Sequence, residues 1–436
     1  MKNFQPLVPI SQPDALQHST VHGHKVALLR RAMTDHGIEV CTRTGDRSRQ
    51  APLWAARFEG ETRMFRSIMC ADTGYRTYRA VGDKKWTKQR IEEKKLPTPR
   101  GIEVSRDNLR QSFESVAQYG LPGVVKPKAG SHGHGVSLNI QSFEDFLEGV
   151  EKIKGHAIFE QEIQGKDYRI LTIGNKVVAG TLRKPANVVG DGKSSIKELV
   201  REKNLLRASN PSLCRNLIPL TDETTRLINA EGHSFEDVPK PGQQVQLARV
   251  ANIGSGGDSI DVTEFIHEDF INICSQIPKH FGSPEILGID ILAEDISSSP
   301  TGQQWTILEL NANPDIDIHR WPLVGTPRDA GAALVKQLFP RANLAPLLSF
   351  DLSFARKASD KPFFKSLRKR ADEFGVSGQG DRTGREYFMH IKGTTAAVNR
   401  LTDTLIADPQ LDHLKIKESA TEFVLDTNGF HLRNSI

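Results

Sequence analysis

The runs Gly288-Ile-Asp-Ile-Leu-Ala-Glu-Asp295 and Trp305-Thr-Ile-Leu-Glu-Leu-Asn-Ala-Asn-Pro314 decide how this chain is read. Both are short and rich in Ile and Leu, the pattern of core β-strands. Strand alternation puts Glu309 and Asn311 on one face, and pairing of the two runs brings Asp290 beside them. Two carboxylates and an amide oxygen are hard donors of the kind that bind Mg²⁺, and a cation offsets the cost of burying acids. The same spacing suits a solvated sheet end with ordinary ion pairs, so spacing alone leaves both readings open.

Upstream lies Gly123-Val-Val-Lys-Pro-Lys-Ala-Gly-Ser-His-Gly-His-Gly-Val136. A β-rich run delivers Lys126, and Gly130, Gly133 and Gly135 allow a tight loop whose amides approach phosphate oxygens. It is neither a Walker A sequence nor a Gly-x-Gly-x-x-Gly opening a helix. Alone it reads more readily as an ordinary surface turn, and His132 and His134 read as solvated side chains rather than a metal pair.

Around these motifs the chain separates into three stretches: a small α/β unit at 1–81, a central unit at 82–341 and an α+β unit at 342–436. In the first, Val26, Leu28, Leu29 and Met33 share a helical face and lead to a turn and strand at 37–40. In the second, a helix over 86–95 runs into Leu96-Pro-Thr-Pro99, where the prolines enforce an extended chain. Ser142 and Asp145 form a capping box ahead of Phe146, Leu147, Val150 and Ile153. Strands are expected at 123–126, 157–163, 168–173 and 177–182, the last two turning at Gly174-Asn175. Residues 186–247 form an insertion whose helix is capped by Ser195 with Glu198. The third stretch predicts a basic helix at 362–374, a strand at 387–391, a helix at 394–407 and a strand at 421–425.

Composition narrows the class. The 436 residues are 37% hydrophobic and 25% charged, with a formal net charge of +5. No apolar run approaches the ~20 residues needed to cross a bilayer. The start lacks the basic-then-apolar layout of a signal peptide, so a cytoplasmic protein with no membrane partner is expected. Four scattered cysteines indicate neither a zinc site nor a disulfide framework. No basic stripe with interleaved aromatics points to nucleic acid.

Taken in order, the motifs resemble the ATP-grasp superfamily, and within it the ligases similar to cyanophycin synthetase and the ATP-grasp half of bifunctional glutathione synthetases. The resemblance covers 82–340. It is carried by Asp83-Lys-Lys-Trp-Thr-Lys88, the Lys126 loop, Phe159-Glu-Gln-Glu-Ile-Gln-Gly-Lys-Asp167, Arg183-Lys-Pro-Ala-Asn-Val-Val-Gly-Asp-Gly192, Arg249-Val-Ala-Asn-Ile-Gly-Ser-Gly-Gly257 with Asp261, then Asp290 and Glu309-Leu-Asn-Ala-Asn-Pro314. It implies an ATP-grasp fold of mixed α/β class, ATP as cofactor, and two Mg²⁺ ions (Mn²⁺ as an alternative) on Asp290, Glu309 and Asn311. It also implies Lys84 and Lys126 on the phosphates, Gly130, Ser131, Gly133 and Gly135 in a lid, Glu160, Gln161 and Ile163 at the adenine hinge, and Asp167 on the ribose.

The implied reaction joins a carboxylate to an amine through an acyl phosphate, with ADP and phosphate as coproducts. Its substrates would be small molecules such as amino acids or short peptides, and a homo-oligomer is compatible with the reading. Arg183, Arg249 and Asn313 are the catalytic candidates. Arg169, Asn252, Gly254, Ser255 and His319 are candidates for holding substrate, with Asp315 and Asp317 near the amine. Many ATP-grasp ligases carry an arginine two residues before the first metal aspartate, whereas Gly288 stands there. Positive charge at the intermediate would then come from Arg249 or Arg183. A regulator that only binds nucleotide and a phosphotransferase that receives no amine are the competing readings. The third stretch faintly resembles acylphosphatase, a ferredoxin-like fold, without its arginine loop, and implies a domain lacking that activity.

Overall fold

The computed structural model describes residues 24–42, 53–73, 75–128, 135–357, 363, 367–368, 370–371, 374–406, 410–419 and 430–432. The lid residues Gly130, Ser131 and Gly133, with His132 and His134, and the strand expected at 421–425 lie outside them. The chain divides into two compact units, one built on Tyr75–Pro314 and Ile318–Arg328, the other on Ile10–Gly74, Asp315–Asp317 and Asp329–Ile436.

Two sheets and an insertion make up the first unit. The smaller sheet orders its strands Gly101–Glu103, Ala157–Gln161, Gly123–Pro127 and Ser137–Ile140. Helices Leu109–Ala117 and Phe143–Glu151 cover it, and Val116, Val125, Phe146, Val150 and Phe159 form the buried seam. The second helix starts where the sequence indicates: the Ser142 side chain accepts from the Asp145 amide while Asp145 reaches back to the Ser142 amide.

The larger sheet runs Asp258–Asp261, Lys176–Lys184, Lys166–Ile173, Ile286–Ala293 and Trp305–Asn311, antiparallel throughout. Its central strands bury Ile170, Leu171, Ile289 and Ile291, and helix Glu268–His280 adds Phe270 and Ile277 to the core. The insertion carries its own core, with Val188, Ile196, Val200, Ile228 and Val245 enclosed by the strand pair Asn187–Val189/Gln244–Gln246 and the helices Ile196–Ser209 and Asp222–Ala230.

In the second unit, helix His24–Asp35 buries Val26, Leu29 and Met33, and Gly37 turns the chain at φ +72° into strand Glu39–Thr42. A hairpin of Leu53–Phe58 and Glu61–Arg66 follows, which sequence reading missed. Its two turn residues, Glu59 and Gly60, both take positive φ, the conformation a tight two-residue hairpin requires. A separate sheet orders its strands Leu411–Glu418, Leu348–Arg356, Glu386–Gly393, Ser377–Thr383 and Phe430–Leu432. Helix Thr395–Ile406 belongs to the same stretch and contributes Ala397, Val398, Leu401 and Leu405 to a common core with Leu352, Phe354 and Met389.

Candidate active site

Register assembles the site. Across the larger sheet, Asp261 pairs with Thr181, Thr181 with Arg169, Arg169 with Asp290 and Asp290 with Glu309, so one row of polar side chains crosses all five strands. Alternation adds Asp167, Arg183, Gly288 and Asn311 two residues away on the same face. These residues come from strands 121 positions apart in sequence at the Arg169–Asp290 contact.

Asp290 is the hub. It is 2% exposed; Arg169 donates through Nε to Oδ1 and through Nη2 to Oδ2 (2.9 Å), and Arg183 Nη2 donates to Oδ2 at 2.9 Å. Burial alone would push its pKa up, but the two guanidiniums hold it down, to about 2. Arg183 also donates through Nε to Asp167 Oδ1 at 2.8 Å. Burial raises Asp167 to about 6, with Asp290's charge adding to the rise and Arg183 opposing it. The arginines expected to clamp a substrate anion are thus each engaged by a carboxylate here.

Gly288 explains how Arg169 reaches Asp290. A Cβ built at Gly288 would lie 2.9 Å from Pro314 Cβ and 3.2 Å from Arg169 Cδ. The bare backbone there is a shelf over which the Arg169 side chain lies. An arginine missing from position 288 is therefore matched by one arriving from the adjacent strand.

Glu309 extends from the row with its side chain 36% exposed, 3.4 Å from Lys84 Nζ, and accepts from Asn311 Nδ2 at 3.2 Å. Lys84 opens helix Lys84–Glu93, whose N-cap Asp83 accepts from the amides of Lys85 and Trp86. Among the described residues no group of three or more His, Cys, Asp or Glu side chains forms a metal-binding cluster. The two-carboxylate, one-amide set suits Mg²⁺ nonetheless, because that ion keeps several positions for water and phosphate oxygens. Glu309, part-exposed, would exchange its Lys84 and Asn311 contacts for it, and Asp290 an arginine contact.

Beside the row opens a cleft of about 1420 Å³, lined by Lys126, Glu160–Asp167, Leu182–Pro185, Arg249–Ala251 and Arg328 among others. Glu160 is 3% exposed and takes one lysine on each oxygen, Lys126 on Oε1 and Lys88 on Oε2. Gln161 and Ile163 follow on the same wall. The Gln161 amide donates to the Arg100 carbonyl and its side chain to the Tyr119 carbonyl. Gly135, the described edge of the lid, has φ +74°.

The 252–257 loop forms a wall of a different kind. The Gly254 amide donates to Asn252 Oδ1, those of Ser255 and Gly257 to the Asn252 carbonyl, and that of Gly256 to the Ile253 carbonyl. Each of these amides is used inside the loop in this conformation. From the insertion, fully buried Arg207 donates to the carbonyls of Asn216 and Gly257 at 2.9 Å each and reaches Asp258 Oδ1 at 3.4 Å. Lys203, one turn earlier, takes Asp258 Oδ2 at 2.6 Å. Sequence reading missed this brace, although the four-residue spacing of Lys203 and Arg207 places them on one helix face.

Arg249 is exposed on the cleft wall. His319 is 1% exposed and meets Thr181 Oγ1 through Nδ1 at 2.8 Å, so it is buried against the row. Asn313 is half-buried just beyond the Trp305–Asn311 strand. Asp315 pairs with Lys25 at 2.9 Å in the second unit.

No family model matches the chain. It is 32% identical over 291 residues to cyanophycin synthetase of Trichormus variabilis, an alignment covering 65% of this chain and 32% of that protein. It is 33% identical over 273 residues to the bifunctional glutathione biosynthesis protein of Clostridium perfringens, covering 61% of this chain and 35% of that one. The chain thus spans about a third of the length of the curated relatives it matches. Among solved structures, the bifunctional glutathione synthetase from Pasteurella multocida superposes with a TM-score of 0.56 at 25% identity, over 74% of this chain and 44% of that one. The fold is the ATP-grasp fold expected from the motifs. Among the described residues no helix is long and apolar enough to cross a membrane.

Proposed function

We propose that this protein is an ATP-dependent carboxylate–amine ligase that forms an amide or peptide bond through an acyl phosphate, releasing ADP and phosphate. One observation carries the reading. The first unit holds, side by side, a nucleotide-sized cleft walled by Lys126 and the Glu160–Asp167 segment, and a row of arginines and carboxylates joined to it through the Asp167–Arg183 pair.

Phosphoryl transfer to a carboxylate requires in-line positioning and neutralisation of spreading negative charge. Lys126 and Lys84 supply that charge from two elements, with Lys126 on the cleft wall and Lys84 beside Glu309. Arg169 and Arg183 would supply cations to an acyl phosphate, and release from Asp290 would let either donate bidentately to it. Mg²⁺, held by Glu309, Asn311 and Asp290, would shield the phosphate oxygens. Arg249, exposed in the cleft lining, would meet a substrate anion, and Thr181 holds His319 through its side chain. Amino acids or short peptides are the proposed substrate class. ADP release in the presence of an acid and an amine, each supplied separately and together, tests the reading: a ligase requires both.

For the remainder of the chain we propose the division 1–81, 82–341 and 342–436. The third stretch is read as a ferredoxin-like, acylphosphatase-like domain without phosphatase activity. Its first four strands in chain order lie 4-1-3-2 across the sheet, the order of a βαββαβ unit, with Phe430–Leu432 added at the edge. An isotopically labelled small acyl phosphate incubated with the full chain tests this; its catalysed hydrolysis would overturn it.

A further inference from the structure

The Glu160 carboxylate holds two ammonium groups, and only one of them faces the cleft. Lys126 lines the cleft on strand Gly123–Pro127; Lys88 does not line it and sits behind Glu160, on helix Lys84–Glu93, where its Nζ also donates to the Pro99 carbonyl at 3.1 Å. Side-chain exposure is 17% for Lys88, 16% for Lys126 and 4% for Glu160, so the triad is nearly enclosed. Burial pulls the Lys88 ammonium below its usual range while Glu160 opposes the fall. The two lysines hold the buried Glu160 carboxyl below its own range.

Such an arrangement answers a specific electrostatic difficulty. A buried carboxylate stripped of its last cation is strongly disfavoured. If Lys126 were the sole partner of Glu160, every contact between Lys126 and a phosphate would leave that carboxylate uncompensated, and the protein would hold Lys126 back from nucleotide. With Lys88 on the other oxygen, Lys126 can turn to a polyanion and Glu160 stays neutralised. We propose that Lys88 is a positioning residue that releases Lys126 for nucleotide phosphate by serving as the resident counter-ion of Glu160. This rests on the reading of the cleft as a nucleotide site; it adds a role for a residue that touches no ligand.

The test is a double-mutant cycle read by calorimetric titration of the full-length protein with Mg²⁺ and ADP. Lys88→Met is expected to weaken ADP binding by about tenfold or more, whereas Lys88→Arg stays within about threefold of wild type. In a Glu160→Gln background there is no carboxylate to hold Lys126, so Lys88→Met should change affinity by less than about threefold. A general structural role for Lys88 would weaken binding equally in both backgrounds. Thermal unfolding of each variant confirms that folded protein is compared. If Lys88→Met alone does not fold, the comparison of Lys88→Met/Glu160→Gln with Glu160→Gln decides, and a loss of about tenfold there overturns the proposal. It is also overturned if Lys88→Met binds ADP as wild type does. Wild type failing to bind ADP at all would instead remove the nucleotide reading itself.

Discussion

Gly288→Ala is the most revealing single change, because it adds one methyl group and no charge. The added Cβ falls 2.9 Å from Pro314 Cβ, 3.2 Å from Arg169 Cδ and 3.4 Å from Asn311 Cβ. The first separation is below carbon–carbon contact, and the Pro314 ring cannot swing away as a flexible side-chain end would. Overpacking of this kind costs about 1–3 kcal/mol. The displacement reaches Arg169, whose guanidinium spans both oxygens of Asp290, and Asn311 beside Glu309. A shift of ~1 Å in a positioning group can lower turnover by ~10²-fold. The cleft residues Lys126 and Glu160 lie on the other sheet, so ADP affinity should stay near wild type. Calorimetric melting, ADP titration and amine-dependent ADP release, measured together, check this. A variant with unchanged melting and unchanged turnover would refute the claim that bare backbone at 288 seats Arg169.

Arg207→Met should destabilise the first unit by ~3–5 kcal/mol, since it leaves the Gly257 and Asn216 carbonyls and one oxygen of Asp258 without their donor in a fully buried setting. Denaturant unfolding measures it, and a loss below ~1 kcal/mol would contradict the brace. Asp167 gives a pH signature. Its folded value of about 6 lies above the ordinary 3.8, so its contribution to stability is full below pH 3.8 and is lost as pH rises through 6. Asp290, held at about 2, contributes in the opposite sense, present above 3.8 and lost as pH falls toward 2. Relative to Asp167→Asn, wild type should therefore lose up to about 3 kcal/mol between pH 4 and 7, and a flat difference curve would count against the assignment. Glu309→Ala and Asn311→Ala should abolish Mg²⁺-dependent turnover while leaving the melting temperature within a few degrees; amine-dependent ADP release that persists in either would remove it from the metal set.

Local signals in the sequence reached the elements they touch. Ser142 with Asp145 and Ser195 with Glu198 fix helix starts because a cap is satisfied within four residues. Alternation around Asp290 and Glu309 named the strands that now pair in register. What stayed hidden was non-local. Arg207 reads as one more basic residue on an amphipathic helix, and only the fold brings the Gly257 carbonyl to it. Nothing near Gly288 reveals that an arginine 119 positions earlier lies across it, since that contact is made by strand pairing. Lys88 has no role legible in its own helix, because its partner Glu160 comes from a strand 72 positions further on. Ser377–Thr383 carries no apolar residue and reads as a loop, so its strand is set only by pairing with Glu386–Gly393, whereas the alternation of Leu348–Arg356 is a strand signal that went unused.

Product analysis of a reaction containing ATP, Mg²⁺ and pooled amino acids and short peptides decides whether the protein ligates an acid to an amine. A ligase releases ADP and phosphate in step with a new species whose mass is that of an acid plus an amine less one water, and forms none of these products when either partner is withheld. ADP formed with one acceptor and a phosphorylated product, or nucleotide bound with no turnover in the presence of both partners, would contradict ligation.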